Sequence, residues 1–128
     1  MAKTYADLLQ EVKAAIRQVS LEDLKDRLDS GEELILVDVR EKDEWRQGHV
    51  PGALNLPPAE AAARVPELAD ALASAEAVVV YCHGVECSDA IGVAERLLEV
   101  IPEPVYVFEA GLKGWIDAGH PVNEGMEP

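Results

Sequence analysis

Apolar residues in the first segment fall at Tyr5, Leu8, Leu9, Val12, Ile16 and Val19, with Lys3, Asp7, Glu11, Lys13 and Arg17 between them. This spacing predicts an amphipathic helix from Lys3 to Val19. Such a stripe either docks on the body of the domain or meets a partner or a second copy. Its mixed charges do not suit a membrane-surface helix. Ser20 with Asp23 reads as a capping signal for a helix from Leu21 to Ser30, stopped by Gly31. Leu34 to Val39 is a short, nearly continuous apolar run, as in a strand covered on both faces.

Glu41 to Gln47 reads as a helical turn or two, and Ala53 to Leu56 as a short strand ended by Pro57 and Pro58. The Ala-rich stretch Ala59–Ala73 is helical, with Pro66 expected to split it. Ala77 to Tyr81 is a second strongly buried strand. Ser88 to Val100 is a helix carrying Ile91, Ala94, Leu97 and Leu98 on one face. Val105 to Phe108 is a further strand closed by Gly111, Leu112 to Ala118 a last short helix, and Asn123 to Pro128 a frayed tail. The alternation predicts an α/β fold, a mainly parallel sheet with helices on both faces.

Composition narrows this picture. A length of 128 residues suits one domain. No apolar run approaches the ~20 residues that span a bilayer, and the N-terminus has no apolar signal-peptide core. The two cysteines stand five positions apart and are not a disulfide framework, so a reducing cytoplasm is the expected compartment. The net charge of −14 argues against nucleic acid or an anionic membrane as partner, and against long-range steering of a small anion. A basic protein partner fits that field, although surface acidity also serves solubility alone. Oligomeric state is not encoded in these features.

Candidate chemistry centres on Cys82. In open parallel sheets, ligands gather at the carboxyl ends of strands, and Cys82 follows the strand Val78–Tyr81 directly. The segment Cys82, His83, Gly84, Val85, Glu86, Cys87, Ser88 then joins strand to helix. A short loop of this kind can turn successive N–H groups inward, and the helix start adds unsatisfied N–H groups. Both favour thiolate over thiol and suit an anionic sulfur species. Gly84 permits the backbone conformation such a curl requires. The alternative is a small buried hydrophobe at a strand end.

The flanking motifs bear on that choice. Val37-Asp38-Val39-Arg40-Glu41, Glu44-Trp45, Gly48-His49-Val50-Pro51-Gly52-Ala53, Asn55-Leu56-Pro57, Tyr81-Cys82 and Gly111-Leu112-Lys113-Gly114-Trp115 stand in one order. Together they resemble the rhodanese-like (sulfurtransferase) domain family. The resemblance runs from about Val19 to Val122. It leaves residues 1–18 as an added N-terminal amphipathic helix and 123–128 as a flexible tail. It implies a five-stranded parallel sheet flanked by helices, no cofactor and no metal. It also implies a persulfide mechanism: Cys82 takes sulfane sulfur from thiosulfate or a persulfide and passes it to cyanide or a thiol, with His83 to Ser88 as the cradle. Asp38 and Arg40 are expected to pair with neighbours, Glu44 being one candidate; alternatively Arg40 helps shape the site from behind. His49 is expected to be a turn or packing histidine, and Trp45 and Trp115 to pack in or near the core.

The loop departs from the family's common pattern. Its last position, often arginine, is Cys87, and Glu86 is acidic. Thiosulfate, a dianion, is therefore poorly matched, and phosphate-ester hydrolysis lacks its closing arginine. The Cys82-x-x-x-x-Cys87 pair resembles a subgroup with a C-x-G-x-x-C loop, in which Cys87 resolves a Cys82 persulfide as a disulfide. The other reading of Cys87 is a buried first-turn residue. The spacing does not suit a zinc half-site. Besides a sulfurtransferase, acting on small donors or on a basic sulfur-relay protein, the sequence admits a non-catalytic binding or redox-sensing module built on Cys82 and Cys87.

Overall fold

The computed structural model describes residues 16–84, 89–101 and 105–128. Five strands form one parallel sheet: β1 Ile16–Val19, β2 Leu34–Asp38, β3 Leu54–Asn55, β4 Ala77–Tyr81 and β5 Val105–Phe108, in the order β1-β5-β4-β2-β3. Five helices flank it among the described residues: α1 Leu21–Asp29, α2 Lys42–Gln47, α3 Pro58–Ala73, α4 Asp89–Leu98 and α5 Gly111–Asp117. The α/β expectation is thus met.

Strand β4 lies at the centre, and all five of its residues are buried. Its side chains alternate between two cores, as strand geometry requires. Val78, Val80 and then Cys82 face a core built with Ala61, Val65 and Leu72 of α3 and Val93, Ala94 and Leu97 of α4. Ala77, Val79 and Tyr81 face the other, built with Leu24 of α1 and Leu112 and Trp115 of α5. Each buried Val or Leu contributes roughly 1.5–3 kcal/mol of transfer free energy. The continuous apolar runs at β2 and β4 reflect this burial on both faces.

Three expectations need correction. Ile16 to Val19, read as the end of the first helix, form edge strand β1, with Ile16 opposite Val105 and Val19 opposite Phe108. Their apolar ends suit helix and strand equally over four residues, and pairing to β5 decides the outcome; the rest of that expected helix lies outside the described residues. Pro66 does not divide α3, which is continuous across it. Pro66 is exposed while Ala61, Val65 and Leu72 are buried, so the lost backbone bond faces solvent and the packed face holds the helix together. The expected frayed tail is tied to the body: His49 and Asn123 exchange backbone hydrogen bonds of 2.9 Å each, and Gly125 N–H donates to the Arg46 carbonyl at 2.8 Å. The expected cap is present. Ser20 caps α1 by accepting from Asp23 N–H at 3.1 Å. No helix among the described residues is long and apolar enough to cross a membrane.

The start of α5 presses on the backbone that follows β4. Leu112 N–H donates to the Cys82 carbonyl at 3.0 Å and Lys113 N–H to the His83 carbonyl at 2.9 Å. Gly111 makes this approach possible. Its φ is +64°, and a Cβ there would lie 2.6 Å from the Cys82 carbonyl oxygen and 2.7 Å from Gly84 N. Replacing Gly111 by alanine is therefore expected to cost about 2–4 kcal/mol, through left-handed strain and backbone collision; a denaturant midpoint like wild type's would contradict this close approach. Pro66→Ala restores an exposed α3 bond and is expected to add about 1–2 kcal/mol, net of the looser unfolded chain, read as a raised melting temperature.

Candidate active site

The strand order reverses between β2 and β4: the chain leaves β2 toward β3 on one side and returns to β4 on the other. Crevices at the carboxyl ends of such strand pairs are the usual ligand sites of open α/β sheets. Cys82 leaves β4 at this point, and Val39-Arg40 leave β2 beside it, with Val39 N–H donating to the Tyr81 carbonyl at 3.0 Å.

Cys82 is 4% exposed and disulfide-bonded. His83 and Gly84 follow it to the surface; Val85, Glu86, Cys87 and Ser88, expected to complete the cradle, lie outside the described residues. The contacts from α5 engage the carbonyls of Cys82 and His83. Peptide groups so pinned cannot rotate freely, which fixes the path on which the loop leaves the strand.

Behind the loop is a buried polar network. Asp38 is fully buried and Arg40 nearly so, and they pair with each other: Arg40 Nη2 lies 3.1 Å from Asp38 Oδ2, and Arg40 N–H donates to Oδ1 at 2.8 Å. The same guanidinium also donates to the Gly48 carbonyl. Asn55 Nδ2 bridges the Asp38 and Arg40 carbonyls at 3.2 and 2.8 Å. Tyr81, on the opposite face from Cys82, accepts from Val50 N–H at 3.0 Å. Burial first, and the Asp38 carboxylate second, push the Tyr81 phenol above its ordinary value, so it stays a neutral hydroxyl throughout the physiological range. Asp38, Arg40 and Tyr81 thereby fix the ends of β2 and β4 to the turn Gly48–Ala53. Within these contacts Arg40 holds backbone in place.

His49 is fully buried and stacks on Trp45 with ring centroids 4.4 Å apart. Its Nδ1 is 2.7 Å from the Trp45 carbonyl, so Nδ1 carries the proton. This is the expected packing histidine. Trp45 and Trp115 are both buried, and their indole N–H groups donate to the carbonyls of Ala53 and Pro121.

One contact departs from expectation. Glu44 does not join Asp38 and Arg40; its Oε2 lies 3.0 Å from His83 Nε2. Both side chains are exposed by more than a third, so the pair is a surface contact at the loop. No periodicity joins residues thirty-nine positions apart, and only the pairing of β2 with β4 brings them together. On the other side, Lys113 Nζ lies 2.6 Å from Asp117 Oδ2, and that hydrogen bond raises the ammonium above its usual range.

Comparison with known proteins agrees with this geometry. The Rhodanese-like domain model matches residues 20–118. The chain is 37% identical over 125 residues to the HTH-type transcriptional regulator Rv0324 of Mycobacterium tuberculosis, covering 98% of this chain and 51% of that protein. It thus spans about half the length of that relative. It is 29% identical over 93 residues to the thiosulfate sulfurtransferase GlpE of Coxiella burnetii, covering 72% of this chain and 79% of the relative. Among solved structures, a thiosulfate sulfurtransferase from Pseudomonas aeruginosa superposes with a TM-score of 0.72 at 31% identity, over 93% of this chain and 22% of that one. With the matched model covering most of the chain, and with Cys82 at the switch point of a five-stranded parallel sheet, this chain belongs to the rhodanese-like domain family.

Proposed function

We propose that the protein is a sulfurtransferase in which Cys82 carries sulfane sulfur as a persulfide. The observation that carries this reading is the position of Cys82 at the carboxyl end of the central strand, on a backbone held by α5. The reduced Cys82 thiolate attacks the outer sulfur of a donor and forms a new S–S bond. With thiosulfate, the bond to the sulfite group breaks and sulfite leaves with the electron pair. The terminal sulfur of Cys82–S–S⁻ is then attacked by cyanide or a thiolate, giving thiocyanate or a new persulfide and restoring the thiolate. Val85 to Ser88 complete the anion-holding loop in this reading, as inward N–H groups at a helix start favour a sulfur anion.

Cys87 adds a second step. The disulfide state of Cys82 and the presence of one other cysteine, Cys87, support a pair able to form an intrachain disulfide. The Cys87 thiol gives its proton to the terminal sulfur and its sulfur attacks the inner sulfur of the persulfide; the Cys82–Cys87 bond forms, the persulfide S–S bond breaks, and hydrosulfide leaves with the electron pair. A thiol reductant then returns both cysteines to thiols by exchange. The same chemistry without a donor would make the domain a redox-sensing module. The similarity to a transcriptional regulator keeps that reading open, and the donor experiment separates the two. The physiological partner is, in this proposal, a small sulfur donor or a basic sulfur-relay protein, in keeping with a net charge of −14.

Incubating pre-reduced protein with thiosulfate, polysulfide or a low-molecular-weight persulfide is expected to add about 32 Da to the intact mass, lost in Cys82→Ser. Absence of the adduct with all three donors refutes the enzyme. In the resolving step, loaded protein is expected to release sulfide and end about 2 Da below the reduced mass, whereas Cys87→Ser keeps its persulfide. Equal sulfide release from Cys87→Ser removes Cys87 from the chemistry.

A further inference from the structure

The side chains around the loop carry an electrostatic arrangement that sulfur transfer in general does not require. His83 follows Cys82 directly, and its Nε2 meets Glu44 Oε2 at 3.0 Å. Lys113, whose N–H holds the His83 carbonyl, has its ammonium 2.6 Å from Asp117. Both basic side chains that these contacts bring to the loop therefore face a carboxylate. The Lys113–Asp117 pair sums to zero. The His83–Glu44 pair sums to zero when the imidazole is protonated and to −1 when it is neutral. In neither state do these two pairs carry a net positive charge, and the molecule as a whole carries −14.

Such a rim discriminates among donors by charge. Thiosulfate brings two negative charges to Cys82, and nothing in these pairs offsets them. A low-molecular-weight persulfide brings a single charge on its terminal sulfur, and a persulfide on a basic carrier arrives with compensating cations. We propose that Glu44, held at the loop by His83, is a donor-selecting residue: its carboxylate, beside the residue that follows Cys82, biases loading away from thiosulfate and toward persulfide donors. In the favoured reaction the Cys82 thiolate bonds to the terminal sulfur of R–S–S⁻, the donor's S–S bond breaks, and R–S⁻ leaves with the electron pair. This inference rests on the persulfide reading of Cys82. Glu44 is here a positioning residue, since its contact is with His83 and not with the reacting sulfur.

The test compares second-order loading rates of the pre-reduced protein with thiosulfate and with cysteine persulfide, read by intact mass. Glu44→Gln removes one negative charge from the contact with His83 and so raises the charge of that pair by one, whichever state the imidazole is in. It is expected to raise the thiosulfate-to-persulfide rate ratio roughly three- to fivefold at low salt, with the gain shrinking as ionic strength rises. In a His83→Ala background, where the contact that holds the carboxylate at the loop is gone, the same substitution should raise the ratio less. The persulfide rate serves as an internal standard, because a folding defect lowers both rates and leaves their ratio alone. An unchanged ratio in Glu44→Gln overturns donor selection while leaving the Cys82 persulfide intact. A full rise that persists without His83 overturns the holding of the carboxylate by the imidazole. If wild type takes sulfur from neither donor, the persulfide reading itself falls, and donor selection with it.

Discussion

The docking of α5 onto the backbone of Cys82 and His83 is the contact on which the site depends. A strand that ends in a reactive residue must leave the sheet, and its carbonyls then lose their ladder partners. Here the first N–H groups of α5 supply those partners, and they are donors that a helix start leaves unsatisfied. Two deficits cancel in one contact. The approach is so close that position 111 admits no Cβ, so a glycine far along the chain sets the exit path of the cysteine loop.

The second support comes from below. Asp38, Arg40, Tyr81 and the carbonyl of Gly48 form a buried polar cluster in which each charge has a partner. Breaking such a pair leaves a buried charge uncompensated, which generally costs about 3–5 kcal/mol. The network joins the ends of β2 and β4 to the turn at Gly48–Ala53, and that turn packs on Trp45 through His49. The motif residues around Arg40 and His49 thus act by holding two strand ends in register. The exposed Glu44–His83 contact at the rim follows from the same register, since α2 leaves β2 just where the cysteine loop leaves β4.

Much of this was legible in the chain itself. Hydrophobic runs at Leu34–Val39 and Ala77–Tyr81 identify two interior strands because only a doubly covered strand tolerates apolar residues at every position. Ser20 announces α1 because its hydroxyl satisfies a local N–H three residues on. Cys82 stands out because strand ends are where parallel sheets bind ligands, and the motifs on either side occur in an order that identifies the family. All these signals are local: they depend on spacing along the chain or on a side chain meeting its own backbone.

What the tertiary structure decided is non-local. Ile16 to Val19 carry a spacing that fits helix and strand alike, and pairing with β5 settled the matter. Pro66 breaks helices in isolation, yet α3 continues because its buried face outweighs one solvent-facing bond. The last residues read as polar and frayed, but their backbone finds partners at Arg46 and His49. Glu44, one candidate partner for Asp38 and Arg40, instead meets His83, a partner thirty-nine residues away that only the β2–β4 pairing makes a neighbour. The amino-acid sequence by itself thus determined strands β2 to β5, the family and the place of the candidate cysteine. The fold determined which charges surround that cysteine, because electrostatic partners are chosen by distance in space and not along the chain.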